Sequence, residues 1–340
     1  MKRLSPLLLL VLLTTAATSA TRSLEIYFID VEGGQSTLMV TPAGESLLID
    51  AGYGQRGGRD PDRIMAAVHD AGIERIDYLL VTHFHNDHVG GIPDLAAQIP
   101  IGTFIDYGEP LGSDRMATNG FRTYEPVRAE HPLLQPMPGD HLPLTGIETE
   151  VVSAGGELIS KPLHGAGRKN AACVRVEDHV EDGTENYRSI GVMFRFGAFR
   201  FLDLGDLSGN TLTRLACPID MLGPVSVYLV AHHGDYDTNV PALYAALRPR
   251  AAIMNNGLRK GGSPDAFKTL RRTSGPNGWE MDLWQLHWSA NDHALNTPRA
   301  FIANLDDGET GHWLKLTANE DGSFAITNSR TGEIKKYAAH

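Results

Sequence analysis

The sequence predicts an α/β fold on three observations. Short β-rich segments open the chain after residue 20, strands then alternate with helical periods, and the second half repeats that order. Residues 24–31, 37–41 and 46–50 are β-rich, and Pro42-Ala43-Gly44-Glu45 supplies a hairpin turn between the last two. An antiparallel meander is therefore expected first. Residues 61–71 place Ile64, Ala67, Val68 and Ala71 on one helical face, with Asp60 as N-cap and Gly72 as stop. Residues 76–81 read as a buried strand, Ile92, Leu95 and Ala96 as a helix opened by Gly90 or Gly91, and 103–107 as another strand. Residues 108–140 contain five prolines and read as a long irregular loop, a feature that in a compact domain is functional or mobile. The β pattern resumes at 147–152, 172–176, 189–196 and 198–204, with a tight turn at Gly197-Ala198. A helix at 210–216, a strand at 225–230, a helix at 241–247 and a strand at 251–254 complete the second half. Residues 313–337 read as a terminal β-hairpin.

Composition narrows the function. The 340 residues hold 30 Lys+Arg against 41 Asp+Glu, and a net charge of −11 excludes a basic nucleic-acid-binding domain held by charge alone. With 42% hydrophobic and 21% charged residues the chain has the balance of a folded protein. Residues 1–20 read as a cleaved secretory signal: Met1-Lys2-Arg3 is basic, 7–13 is apolar, and Ala17-Thr18-Ser19-Ala20 is small. The apolar run is far shorter than the roughly 20 residues a membrane span needs. A secreted or periplasmic location without stable membrane insertion after signal cleavage is expected. Removing Lys2 and Arg3 leaves 28 basic and 41 acidic residues, so the exported chain carries −13. Two cysteines are too few for a disulfide framework; export permits a Cys173–Cys217 bridge, but Cys173 lies in an apolar strand-like run and reads as plain core.

Chemistry concentrates in Thr82-His83-Phe84-His85-Asn86-Asp87-His88-Val89-Gly90-Gly91, between a buried strand and a helix. On an extended segment His83 and His85 point to the same side and can converge on one cation, while the turn into the helix brings Asp87 and His88 to a second. Mixed imidazole and carboxylate donors suit zinc, with manganese or iron possible, and a structural zinc site would instead be rich in cysteine. Two further strand ends supply more donors. Leu202-Asp203-Leu204-Gly205-Asp206 offers a carboxylate able to bridge two cations, and Val230-Ala231-His232-His233-Gly234 offers an imidazole, either His232 or His233.

With these motifs the chain resembles the metallo-β-lactamase superfamily, which implies an αββα sandwich of two mixed sheets with a dinuclear site along one edge. The resemblance assigns His83 and His85 to the first metal, Asp87, His88 and one of His232 and His233 to the second, and Asp206 to the bridge. Asp50 would support the ligand loop from behind. The implied domain spans residues 21–255, and 256–340 would be an extension completing the sandwich, since one strand-helix pair and a hairpin give too little core to stand alone. Within the superfamily, Phe28-Ile29-Asp30-Val31-Glu32-Gly33-Gly34-Gln35-Ser36, the segment from Asn170 to Val174 and His232-His233-Gly234 resemble the hydrolase domain of DNA-uptake competence (ComEC-like) proteins. Gln35 stands where that group usually has an acid. Asn170 stands where many other superfamily members have a first-metal histidine, and His164 is an alternative donor. The best-known β-lactamases usually carry cysteine where Asp206 sits, so the resemblance points to other hydrolytic chemistry.

The expected function is a secreted dinuclear metallohydrolase of phosphodiesters, a small molecule or nucleic acid, using a metal-bridging hydroxide as nucleophile. Asp87 would orient that hydroxide, and whichever of His232 and His233 is not a ligand would give the leaving group a proton or hold the loop. Two dications move −13 only to −9, so a polyanion would need a local basic rim from Arg168-Lys169, Arg259-Lys260 or Arg271-Arg272, with Trp279, Trp284 and Trp288 as stacking candidates. A lactonase or other carboxylic ester hydrolase would instead use residues 108–140 as an apolar pocket walled by Tyr107, Phe121 and Tyr124. A non-catalytic metal-binding exported protein is the third reading.

Overall fold

A computed structural model describes residues 23–175, 183–273, 281–306, 308 and 310–339. The expected signal segment and Trp279 lie outside them. Strands β1 (Leu24–Ile29), β2 (Thr37–Val40), β3 (Ser46–Ile49), β4 (Ile76–Leu80), β5 (Ile101–Ile105) and β6 (Leu133–Leu134) form most of one sheet. A second sheet gathers β7 (Glu148–Ala154), β8 (Glu157–Leu158), β9 (Gly191–Phe196), β10 (Phe199–Asp203), β11 (Val227–Leu229), β12 (Ala251–Met254), β13 (Asp282–His287) and β14 (Ile302–Asn304). The chain then returns to the first sheet with β15 (Trp313–Ala318), β16 (Phe324–Asn328) and β17 (Ile334–Tyr337), three antiparallel strands where a hairpin was expected.

The nine-stranded sheet runs β17-β16-β15-β1-β2-β3-β4-β5-β6 and the eight-stranded sheet β14-β13-β12-β11-β10-β9-β7-β8. Each is antiparallel on one side and parallel on the other: β3, β4, β5 and β6 are parallel neighbours in the first, and β10 through β14 in the second. Strand alternation separates the layers. Ile26 and Phe28 of β1 meet Phe194, Phe201, Val227 and Ile253 of the opposite sheet, while Tyr27 and Ile29 pack outward with Ile64 and Val68 of helix α1 (Arg59–Ala71). Helices α2 (Asn86–Val89), α3 (Ile92–Ala96) and α4 (Arg115–Arg128) follow in the first half. Helices α5 (Gly209–Ala216), α6 (Pro241–Leu247) and α7 (Pro264–Thr273) belong to the second, where Leu212, Leu243 and Phe267 cover the outer face of the second sheet. The result is an αββα sandwich. Among the described residues no helix is long and apolar enough to cross a membrane.

Four local expectations are corrected. Helix α1 begins before Pro61, after Gly58 in the left-handed region (φ 83°), and Asp60 does not cap it, because its carboxylate turns back to accept from Tyr53 N and Arg59 Nε. Residues 171–175 form a 3₁₀ turn and not a strand, and Cys173 is bonded to Cys217 across 5.7 Å between Cα atoms. The stretch 108–140 is not an irregular loop: Asp114 caps the 14-residue helix α4 by accepting from Met116 N and Ala117 N. Gly120, a poor helix former, sits where a Cβ would lie 2.0 Å from the Phe84 carbonyl oxygen, so its absence lets α4 lie directly on the histidine loop. Finally, Phe121 and Tyr124 pack against the histidine loop. Their rings pack 4.9 and 5.8 Å from Phe84, with Tyr107 at 4.8 Å, beneath that loop.

Phe201 joins the layers most directly, its ring 5.6 Å from Phe28 of the facing sheet and 5.7 Å from Phe194. Phe201→Ala is expected to cost about 3–5 kcal/mol of unfolding free energy, read as a lowered urea midpoint.

Candidate metal centre

The chemistry-bearing side chains leave the carboxyl ends of parallel strands, where an open α/β sheet leaves a crevice. Asp50 follows β3, residues 82–88 follow β4, Asp206 follows β10, and His232 and His233 follow β11. Asp50 sets the first half. Its Oδ1 accepts from Thr82 N at 2.8 Å, and its Oδ2 accepts from Thr82 Oγ1 at 2.6 Å and from His88 Nδ1 at 2.7 Å. With Nδ1 committed, His88 presents Nε2 to the cluster.

That nitrogen lies 3.2 Å from Asp206 Oδ2 and 3.5 Å from Asp87 Oδ2. His233 Nε2 reaches the same two oxygens at 3.1 and 3.4 Å. Asp87, His88, Asp206 and His233 thus offer four buried donor atoms all within 4.8 Å of one another. Sequence left His232 and His233 equivalent, and the structure separates them. His233 enters the cluster, while His232 keeps Nε2 3.9 Å from Asp206 Oδ2 and turns Nδ1 to the Asp237 carboxylate at 2.8 Å. Both adopt left-handed backbone (φ 46° and 55°), which turns two adjacent imidazoles toward one site.

His83 and His85 converge as their spacing implied, with His83 Nε2 3.0 Å from His85 Nδ1 and 3.8 Å from Asp206 Oδ2. His85 is held from behind by Asp114, whose Oδ2 lies 2.9 Å from Nε2. The sequence reading missed Asp114; its only local signal was a cap position, three residues ahead of Ala117. Burial opposes a charge on Asp114, but hydrogen bonds from His85, Glu185 N and Ala117 N bring it down to about 2. Asn170 is not brought to these histidines. Its amide is spent on the Ala216 and Ala242 carbonyls and on Ala172 N, beside the disulfide, and His164 is exposed. Gln35 lies behind the cluster, its amide donating to Asp203 Oδ2 at 2.9 Å and its backbone N–H to Asp87 O. A residue named only for a basic rim also enters: the Lys260 ammonium pairs with Asp87 Oδ2 and stands 5.7 Å from the Tyr53 ring. Burial pulls Lys260 down to about 7, and the touching carboxylate works in the opposite direction.

The electrostatics ask for a cation. Burial opposes charge on Asp206, yet His233, His88 and His232 hold its carboxyl well below the usual range. Burial likewise opposes charge on His88 and His232, and Asp206, with Asp50 for the first and Asp237 for the second, lifts them to about 10 and about 9. Protons and metal ions are alternative answers to those carboxylates. Asp206 Oδ1 is buried and has no hydrogen-bond partner, and the donors are imidazole nitrogens and carboxylate oxygens at one focus, so the residues fit a dinuclear-type metal site.

The sequence profile of the metallo-beta-lactamase superfamily matches residues 29–168. The lactamase-like protein notP of Aspergillus sp. (strain MF297-2) is 32% identical over 105 residues, 29% of this chain and 31% of that protein. The chain therefore covers about a third of that curated relative. Among solved structures, CmlA, a diiron beta-hydroxylase from Streptomyces venezuelae, aligns with a TM-score of 0.47 at 17% identity, over 78% of this chain and 53% of that one. The metallo-beta-lactamase fold protein YhfI from Bacillus subtilis aligns at 0.43 and 10%, over 77% and 96%. A diphosphatase of the PhnP family aligns at 0.40 and 14%, over 77% and 94%.

Asp114→Asn keeps a capping oxygen but removes the charge behind His85, and is expected to weaken metal binding roughly 10–100-fold in a chelator competition. The raised pKa of His88 means that it carries a proton at pH 7 in the metal-free protein and must lose it to ligate. Metal uptake at pH 7 is therefore expected to release protons, seen as a buffer-dependent heat in calorimetry, and to weaken as pH falls.

Proposed function

We propose that this chain is a secreted, dinuclear metal-dependent hydrolase of phosphodiesters, with small phosphodiesters preferred to nucleic acid. Asp87, His88 and His233 would hold one metal, His83 and His85 the other, with Asp206 shared. Zinc suits the donors, and manganese or iron are alternatives. When bound, such metals supply Lewis acidity and lower the pKa of water, from 15.7 to about 7 for zinc.

The carrying observation is a single amine, Lys260, at the edge of an otherwise acidic and imidazole site. Lys260, against Tyr53 and Asp87, offers its charge to a phosphate oxygen, a demand that a neutral lactone does not make. The aromatic wall expected for a lactone pocket is spent on packing under Phe84. His232 has the arrangement of a proton carrier. Asp237 fixes its Nδ1, leaving Nε2 toward the cluster, where it can give a proton to the leaving oxygen. A purely metal-binding exported protein has no use for that dyad.

The preference for small substrates rests on where the basic pairs fall. Arg168 and Lys169 line a separate cavity of about 390 Å³ with Asn170 and Arg248, and Arg271 donates to the carbonyls of Leu295 and Asn296. Lys260 is the member that reaches the cluster. Trp284 is buried against Phe301 and stacks no base. The similarity of residues 28–36 and of His232-His233-Gly234 to competence-protein hydrolase domains favours phosphodiester chemistry. The signal-like residues 1–20 and the Cys173–Cys217 bridge support an oxidising, extracytoplasmic compartment.

Metal analysis and one substrate panel test this reading. The mature protein should hold about two transition-metal ions and hydrolyse bis-p-nitrophenyl phosphate or a phosphorylcholine ester faster than single-stranded DNA, a lactone or a β-lactam. Lactone cleavage without phosphodiester cleavage would reverse it. His232→Ala should lower turnover roughly 10²–10⁴-fold for esters with an alkoxide leaving group and far less for p-nitrophenolate, which leaves without a proton.

A further inference from the structure

We infer that Asn186 supplies an oxygen ligand, its side-chain Oδ1, to the metal held by His83 and His85, in place of the histidine for which Asn170 was the sequence candidate. The inference rests on the dinuclear reading above and says how its weaker half is completed. As positioned, that half has two imidazoles and one shared carboxylate, whereas the other half has two imidazoles, its own carboxylate Asp87 and a share of Asp206.

Three observations place Asn186 there. The segment from Glu185 to Ile190 is laced around the His83 side. Glu185 N donates to the same Asp114 Oδ2 that holds His85 Nε2, Ser189 Oγ accepts from Asp206 N at 3.2 Å, and Ile190 N donates to Thr82 O at 2.8 Å. Asn186 is therefore tied through one neighbour to His85 and through another to Asp206. Its side chain points inward: only 6% of the residue is exposed, and its Nδ2 lies 3.4 Å from His232 Nε2. As positioned, the Asn186 NH₂ group faces His232 Nε2, while His232 Nδ1 faces the Asp237 carboxylate. Oδ1 is the atom left over, buried and without a hydrogen-bond partner. A buried amide oxygen in that condition costs stability unless something accepts its lone pairs.

A cation is the partner that the surroundings offer. Two imidazoles, a shared carboxylate and an amide oxygen make a harder donor set than three imidazoles and a carboxylate, and carbonyl and carboxylate oxygens suit manganese and also accommodate zinc or iron. The two halves of the centre therefore differ in affinity, with the Asp87 side filling first.

The test is a titration of metal-free protein with Co(II), followed by calorimetry and by the visible ligand-field absorption, with no substrate present. The wild type should show a tight and a weaker event. Asn186→Leu, close in size but without donor atoms, should leave the tight event unchanged and weaken the other roughly 10–100-fold or remove it. Asn186→Asp should retain both, because an oxygen remains in place, and it reports on the same position should the leucine variant not fold. His232→Ala should also retain both, since Asn186 acts on the metal and not through that imidazole. Two unchanged events in Asn186→Leu, or loss of the weaker event in His232→Ala, overturn the inference and leave the dinuclear reading standing. A wild type that binds no metal defeats the dinuclear reading itself.

Discussion

One carboxylate oxygen joins the two halves of this molecule. Asp206 Oδ2 is the point at which His88, from the first sheet, and His233, from the second, meet at 3.2 and 3.1 Å, with His83 and His232 just beyond. No single strand or loop can make that focus. It depends on the two sheets keeping their relative position to a fraction of an ångström, which is the work of the apolar layer between them, where Phe28, Phe194 and Phe201 interdigitate. Core packing and donor geometry are here one constraint: a shift of either sheet separates the imidazoles from the oxygen they share.

Around that focus each donor is held by a residue from another element. Asp50 at the end of β3 fixes His88, Asp114 at the head of α4 fixes His85, and Asp237 fixes His232. These carboxylates decide which ring nitrogen faces inward, so the chemistry available at the cluster is set one layer out. Asp114 does this while capping a helix and accepting from Glu185 N, and so couples helix formation to ligand orientation.

What could be read from sequence was local. The spacing of His83, His85, Asp87 and His88 carried their placement because a strand end followed by one helical turn has only a few geometries. The strand and helix of 241–254 were equally plain, since Pro241 opens a helix and Ala251–Met254 is uniformly apolar. Helix α4 was hidden because Gly120 and Pro126 argue against a helix, and the reason for Gly120, the carbonyl of Phe84, lies 36 residues away in sequence. Asp114, Asp237 and Asn186 were invisible for the same reason, since their partners are remote or were not assigned. The choice between His232 and His233 turned on two left-handed backbone angles that no periodicity encodes. Asp60 looked like a cap because helix propensity was legible and the competing donors, Tyr53 N and Arg59, were not.

The return of the chain to its first sheet has a consequence for how the protein is made. β1 lies between β2 and β15, with Leu24 opposite Ala318, so β1 waits for the much later β15 to become an interior strand. Until then β1 presents an open edge, and its neighbours β2 to β4 carry the histidine segment on an incomplete sheet. Such distant pairing is entropically late and slow. A ribosome-bound fragment ending before β15 would expose unpaired backbone along β1, a template for pairing with the wrong strand. The half that carries the histidine segment thus reaches its final rigidity only after β15 has been translated.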